Sequence, residues 1–162
     1  MSERKQNKKI DKRAPVIVGV GDLVDRSKED GLNPQELLAK ACEHAIQDSG
    51  IKELSNHIDY VGVVRFTVDF LTATNQSNFQ YSNFPRTLAN KLNISAKNEV
   101  YAPMGGNSPQ VLLEDALVKI STGETDCALL SGGEALQTMI AKLKAGMSLD
   151  WLDEPGGSPE MI

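Results

Sequence analysis

A chain of 162 residues, 40% apolar and 24% charged, has the size and balance of one soluble globular domain with enough apolar side chains for a core. Its formal charge of -5 hides an asymmetry of +4 over residues 1–13 against -9 over the remainder, and so acidic a body argues against nucleic acid as the main partner. No run approaches the roughly 20 apolar residues of a membrane span and no secretory core opens the chain, so a cytoplasmic location is expected.

Residues 1–13 hold Arg4, Lys5, Lys8, Lys9, Lys12 and Arg13 with few apolar neighbours, the composition of a disordered basic tail. Pro15 to Val20 is a β-branched run ending at Gly21-Asp22 and is expected to be a buried first strand. Its Gly19-Val20-Gly21 is no dinucleotide fingerprint, because Val24 stands where the third glycine belongs and no helix opens there. Asp25 to Leu32 reads as a loop. Asn33 then caps a helix with Pro34 first and Glu36 placed to complete a capping box. Leu37, Leu38, Ala41, Cys42, Ala45 and Ile46 form its apolar face, and Gly50 closes it. His44 lies between the two faces with no acid or thiol placed to pair with it, so it is read as a surface histidine.

His57 precedes a strand from Ile58 to Val64 that carries Asp59 and Gly62. Phe66 to Tyr81 mixes Phe66, Phe70, Leu71, Phe79 and Tyr81 with polar residues and shows no period; such a connection is either a contact loop or a cover for the sheet. Pro85 opens a short helix with Leu88 and Leu92 facing the core, and Asn93 ends it. A strand over Glu99–Ala102 runs through Pro103-Met104 into Gly105-Gly106, a tight turn, and Asn107-Ser108-Pro109 supplies a cap and a first helical proline. Val111, Leu112, Leu113, Ala116, Leu117 and Ile120 spread over most of the following helix, which Thr122-Gly123 stops. Such a helix asks for cover on more than one side. Leaving about 300 Å² of it in water would forfeit on the order of 7 kcal/mol.

Cys127 to Ser131 is an apolar run expected to be a parallel strand buried on both faces, ending at Gly132-Gly133. Ala135 to Ala145 reads as a helix with Leu136, Met139, Ile140 and Leu143 on one side, and Gly146 terminates it. Residues 147–162 have two Pro/Gly/Ser clusters, with Leu149, Trp151 and Leu152 the side chains able to pack. Strands alternating with helices give an α/β domain with a mainly parallel sheet and helices on both faces. Cys42 and Cys127, one in a helix and one in a strand, are read as reduced core residues with no zinc spacing, and no metal site is expected.

The elbow and the two flanking strands, Glu99 to Glu134, together with Ala14-Pro15-Val16-Ile17-Val18-Gly19-Val20-Gly21, resemble the N-terminal half of the thiolase superfamily, most closely its acetyl-CoA acetyltransferase-like branch. The resemblance covers residues 14–150 and divides the chain into a tail over 1–13, a thiolase-like N-terminal α/β domain over 14–146, and a cut-short linker or the start of a loop domain over 147–162. In that family the elbow carries the nucleophilic cysteine, and aligning the Thr122-Gly123-Glu124-Thr125-Asp126 turn places Met104 there. A thioether cannot become a thiolate. The resemblance therefore implies a domain related to acyl-CoA acyl transfer, inactive alone, with no catalytic residue assigned. The family's other acid/base groups belong to a C-terminal half beyond the region matched here. Ser108, the nearest hydroxyl, is read as a capping residue rather than a nucleophile.

Backbone N–H groups at Gly105, Gly106 and Asn107 are the candidate substrate-binding groups, an anion-favouring helix N-terminus worth ~1 kcal/mol, although a tight turn alone also calls for these glycines. No tightly bound cofactor is expected, and a coenzyme A thioester is the candidate substrate. The expected partners are a second copy or a complementary thiolase-like half. Two other readings stand beside this one: a non-catalytic subunit or scaffold pairing with another thiolase-like chain, and a free-standing α/β small-ligand domain.

Overall fold

The structure, a computed structural model, describes residues 11–67, 81–151 and 153–162. Its centre is strand β1, Tyr60–Val64, flanked in parallel by β2, Asn98–Ala102, and β3, Ala128–Ser131. The order β2-β1-β3 puts Tyr60 opposite both Asn98 and Ala128. Among the described residues the α-helices are α1, Pro34–Asp48; α2, Phe84–Lys91; α3, Ser108–Thr122; and α4, Leu136–Lys144.

The strands' period of two sorts side chains between the sheet's faces. Val61, Val63, Tyr101 and Leu129 join Leu38, Cys42, Phe84, Leu88 and Met139 in the larger core under α1, α2 and α4. Tyr60, Val100 and Ala102 meet Leu112 and Ala116 of α3 in a smaller core on the other face. The crossover through α2 moves from β1 to one neighbour and that through α3 returns across β1 to the other, so right-handed connections must lie on opposite faces. The expected helices on both faces are present.

The local signals act as read. Glu36 N–H donates to Asn33 Oδ1 at 2.8 Å and Asn33 N–H to Glu36 Oε2 at 3.1 Å, the reciprocal capping box of α1. Gly123 ends α3 in the left-handed region at φ 82°. Phe66, Tyr81 and Phe84 stack edge to face, with ring centroids 4.6 Å apart for Phe66–Phe84 and 4.7 Å for Tyr81–Phe84. The other aromatic and aliphatic residues of that connection, Phe70, Leu71 and Phe79, lie outside the described residues, as does Leu152.

Several expectations are corrected. Residues 15–20 pair with no described strand, and Val16, Ile17 and Val20 are 75%, 79% and 66% exposed. The segment is pressed onto α1 instead: a Cβ on Gly19 or Gly21 would stand 2.2 Å from Ala45 O or 2.3 Å from Ala41 O, an approach only glycine allows. Val20 N–H donates to Asp48 Oδ2 at 2.9 Å, fixing it there. Strand β3 is half-buried rather than enclosed, with Leu129 its one buried residue, because it pairs on one side only among the described strands. On α4, Leu143 is exposed. The side chain of Asn107 makes no capping bond to α3, and Pro109 is the helix's second residue.

Residues 147–162 pack more fully than their composition suggests. Leu149 and Trp151 are buried in the larger core, and Gln35 Nε2 donates to Trp151 O at 3.1 Å. Glu160 forms a parallel bridge with Val100 on the outer edge of β2.

At the start of β1, Asp59 organises both neighbours. Its Oδ1 accepts from Asp126 N–H at 3.1 Å and Cys127 N–H at 3.3 Å, while its carbonyl accepts from Lys97 N–H at 2.8 Å and Asn98 N–H at 3.0 Å. Asp59→Ala leaves two N–H groups at the entry of β3 without their acceptor, and each such loss costs about 1–3 kcal/mol. The expected outcome is a fall in unfolding free energy of about 2–4 kcal/mol by urea titration, with Asp59→Asn milder because its amide oxygen still accepts.

Candidate functional site

The three parallel strands end on the same side, and their connections leave for opposite faces of the sheet. That arrangement opens a crevice beyond the strands' carboxyl ends. Here it is an open cleft of ≈ 680 Å³. Val64, Arg65 and Thr67 line it from β1, Met104, Gly105, Gly106, Pro109 and Leu112 from the elbow and α3, and Leu130 to Glu134 from β3.

Three of the four elbow residues singled out in the sequence therefore meet in one place. Met104 is 45% exposed and faces the cleft with Gly105 and Gly106, whereas Asn107 is not among the lining residues. The Asn107 carbonyl instead accepts from Gln110 N–H at 3.0 Å and Val111 N–H at 3.1 Å, beginning α3. Ser108 is 3% exposed, and its N–H donates to Gly105 O at 3.1 Å. It is a buried first-turn residue.

Arg65, Thr67 and Glu134 were given no role by the sequence pattern. Thr67 N–H donates to the Glu134 carboxylate, tying the exit of β1 to the exit of β3 across 67 residues of chain. The Arg65 guanidinium lies 4.3 Å from the centroid of the Tyr101 ring, and the Arg65 backbone N–H donates to Ala102 O at 3.1 Å. The signal available was position: each of these residues closely follows a strand, where parallel sheets gather their ligand-binding groups.

The walls are apolar, from Val64, Met104, Pro109, Leu112 and Leu130, and the polar groups sit at strand exits. Neither cysteine lines the cleft. Burial pushes the Cys42 thiol up, and burial together with the Asp59 and Asp126 charges does the same to Cys127. His44 is on the surface, its Nδ1 2.9 Å from Asp22 O, and His57 is exposed after a short turn. Among the described residues, no group of three or more His, Cys, Asp and Glu side chains is placed to hold a metal ion, and no helix is long and apolar enough to cross a membrane.

No protein-family model matches the chain, and no curated protein matches it. Among solved structures, it is similar to a monomeric SCP2-thiolase like protein type 1 from Mycobacterium smegmatis, with 31% sequence identity and a TM-score of 0.57 over 75% of this chain. The chain has a thiolase-like α/β fold. It spans 24% of that relative's length, so the likeness concerns one portion of a thiolase-like molecule.

With both thiols raised, the thiolate fraction near neutral pH is below that of free cysteine, and reactivity climbs only as the pH rises past the ordinary thiol value of about 8.5. A timed alkylation with iodoacetamide and peptide mapping is expected to modify half-buried Cys127 before buried Cys42, both more slowly than free cysteine.

Proposed function

We propose that this thiolase-like domain holds an acyl-coenzyme A thioester, or a closely related thioester, in the cleft at the strands' carboxyl ends without becoming acylated. The observation that carries this reading is the position of Met104: it ends the strand–turn–helix elbow beside Gly105 and Gly106 and faces the cleft with a side chain that has no proton to lose. The apolar lining suits an acyl chain. The first turn of α3 adds a modest attraction for a carbonyl oxygen, and a second, complementary thiolase-like portion would supply the groups of an acyl transfer.

Calorimetric titration with acetyl-CoA, followed by intact-mass analysis of the same sample, is expected to give saturable binding with no covalent adduct. Gly106 has no atom within 4 Å of the position a Cβ would take, so Gly106→Trp fills the cleft while leaving the core alone. It is expected to weaken binding by about tenfold or more, roughly 1.4 kcal/mol, with unfolding unchanged.

One observation favours a further reading, that the domain also pairs with another thiolase-like chain or a second copy. The outer face of α3 presents Val111, Leu113, Leu117 and Val118 at 37%, 39%, 38% and 59% exposure, on a helix that buries Ser108, Leu112 and Ala116. These apolar side chains, with exposed Gln110 and Glu114 set among them, are surface that a covering partner would bury. Sedimentation velocity is expected to show concentration-dependent association, lost in the double variant Leu113→Glu, Leu117→Glu; a monomer at every concentration contradicts it.

A further inference from the structure

The ladder around β1 ends unevenly. On the β2 side it runs to Val64 opposite Ala102, and the Arg65 backbone N–H then donates to Ala102 O at 3.1 Å, so backbone alone holds the exit of β1 to β2. On the β3 side the last pair is Val63 opposite Ser131. Gly132 and Gly133 follow, and neither carries a side chain that could hold the two exits together. The Glu134 carboxylate takes over there by accepting from Thr67 N–H.

That bond closes a ring of chain that runs from Val63 to Thr67 and back from Glu134 to Ser131. Its rim is one wall of the cleft, since Val64, Thr67, Gly132, Gly133 and Glu134 all line it. Two seats lie beside the bond: Phe66, next to Thr67, and Ala135, next to Glu134, are both buried in the larger core. The double glycine is fitted closely, because a Cβ on Gly132 would stand 3.3 Å from Val64 Cβ and one on Gly133 would stand 2.9 Å from Leu38 Cδ1. The same missing Cβ atoms give wide backbone freedom. Glycine loses more of that freedom on being ordered than any other residue, so a lip of two glycines is a demanding part of the cleft to hold still.

We propose that Glu134 is a positioning residue for the ligand: its bond to Thr67 N–H holds the Gly132–Gly133 lip in the shape the ligand meets, so that ordering precedes binding. The inference rests on the reading of the cleft as a thioester site and adds the residue that preorganises it. A wall ordered in advance raises affinity by removing a cost that binding otherwise carries. The charge of Glu134 works in the opposite direction, because coenzyme A thioesters carry several phosphate charges and an anion near them lowers affinity. The two effects have opposite signs, and substitution separates them.

E134A removes both the charge and the acceptor, whereas E134Q removes the charge and keeps an acceptor oxygen at the same reach. By amide hydrogen exchange on the full chain without ligand, E134A is expected to raise the Thr67 rate about tenfold while the β1 amides keep theirs, with E134Q within about threefold of the wild type. Calorimetric titration with acetyl-CoA is expected to show binding about fivefold weaker in E134A, and in E134Q equal to the wild type or up to about twofold tighter. The urea midpoint is expected to be the same in all three, because Glu134 is exposed. A midpoint that falls together with the affinity reduces Glu134 to a stabilising residue and overturns the proposal. An unchanged Thr67 rate in E134A overturns the clamp. Faster Thr67 exchange with unaltered acetyl-CoA affinity, or equal weakening in E134A and E134Q, overturns the positioning role and leaves the cleft as the ligand site. Absence of binding in the wild type overturns the thioester reading itself, and the positioning role with it.

Discussion

The Asp59 carboxylate is the constraint on which the rest of the sheet depends. It sits at the entry of the central strand and accepts from the first N–H groups leading into β3, while its own carbonyl receives the two N–H groups leading into β2. One residue thus fixes where both neighbours begin. Because a one-residue slip in a strand turns every side chain to the opposite face, fixing the starts also fixes which residues enter each core and which emerge at the far end. Lys97, 3.2 Å from Asp59 Oδ2, adds little by comparison, since its side chain is 71% exposed and its charge is screened by water.

Register set at one end of the strands becomes geometry at the other. With Tyr60 opposite Asn98 and Ala128, Val64 lies opposite Ala102, and Val63 opposite Ser131, so the chain leaves all three strands at one level. Met104, Arg65 and Glu134 converge there although they are far apart in sequence. The bond from Thr67 N–H to Glu134 then joins two of the exits. A second network lies near the opposite end: Tyr60, Asp115, Lys119 and Glu160 join β1, α3 and the segment bridged to β2. Burial, and then the hydrogen bond to Asp115, hold the Tyr60 phenol above its ordinary range; for Lys119 burial opposes the charge, but Asp115 and Glu160 outweigh it and keep the ammonium protonated.

Features written within a few residues were legible in the sequence. The Asn33–Glu36 box, the Gly123 stop and the core-facing stripe of Leu88 and Leu92 are local chemistry, and the structure carries them as read. The elbow was legible too, because a strand, two glycines and a helix start are contiguous. What escaped depends on neighbours that a local pattern does not name. Val16 to Val20 has the composition of a strand, but pairing needs an edge to pair with, and the close fit of Gly19 and Gly21 to α1 holds the run elsewhere. Cys127 to Ser131 looks enclosed by hydropathy, yet β3 lies at an edge among the described strands. Residues 147–162 read as a linker or the start of a loop domain because their composition is poor in packing side chains, whereas much of the contact made at Glu160 is through backbone and one carboxylate.

The proposed function rests on a ligand held in the crevice at the strand exits, at an elbow that forms no bond to it. The most direct measurement is an NMR titration of isotope-labelled protein with acetyl-CoA, followed residue by residue through the amide signals. Saturable shifts are expected at Gly105, Gly106, Gly132 and Gly133 that reverse fully on dialysis, with the amides around α1 unmoved. Shifts centred away from these glycines, or an acetyl group retained on the protein after dialysis, would contradict it.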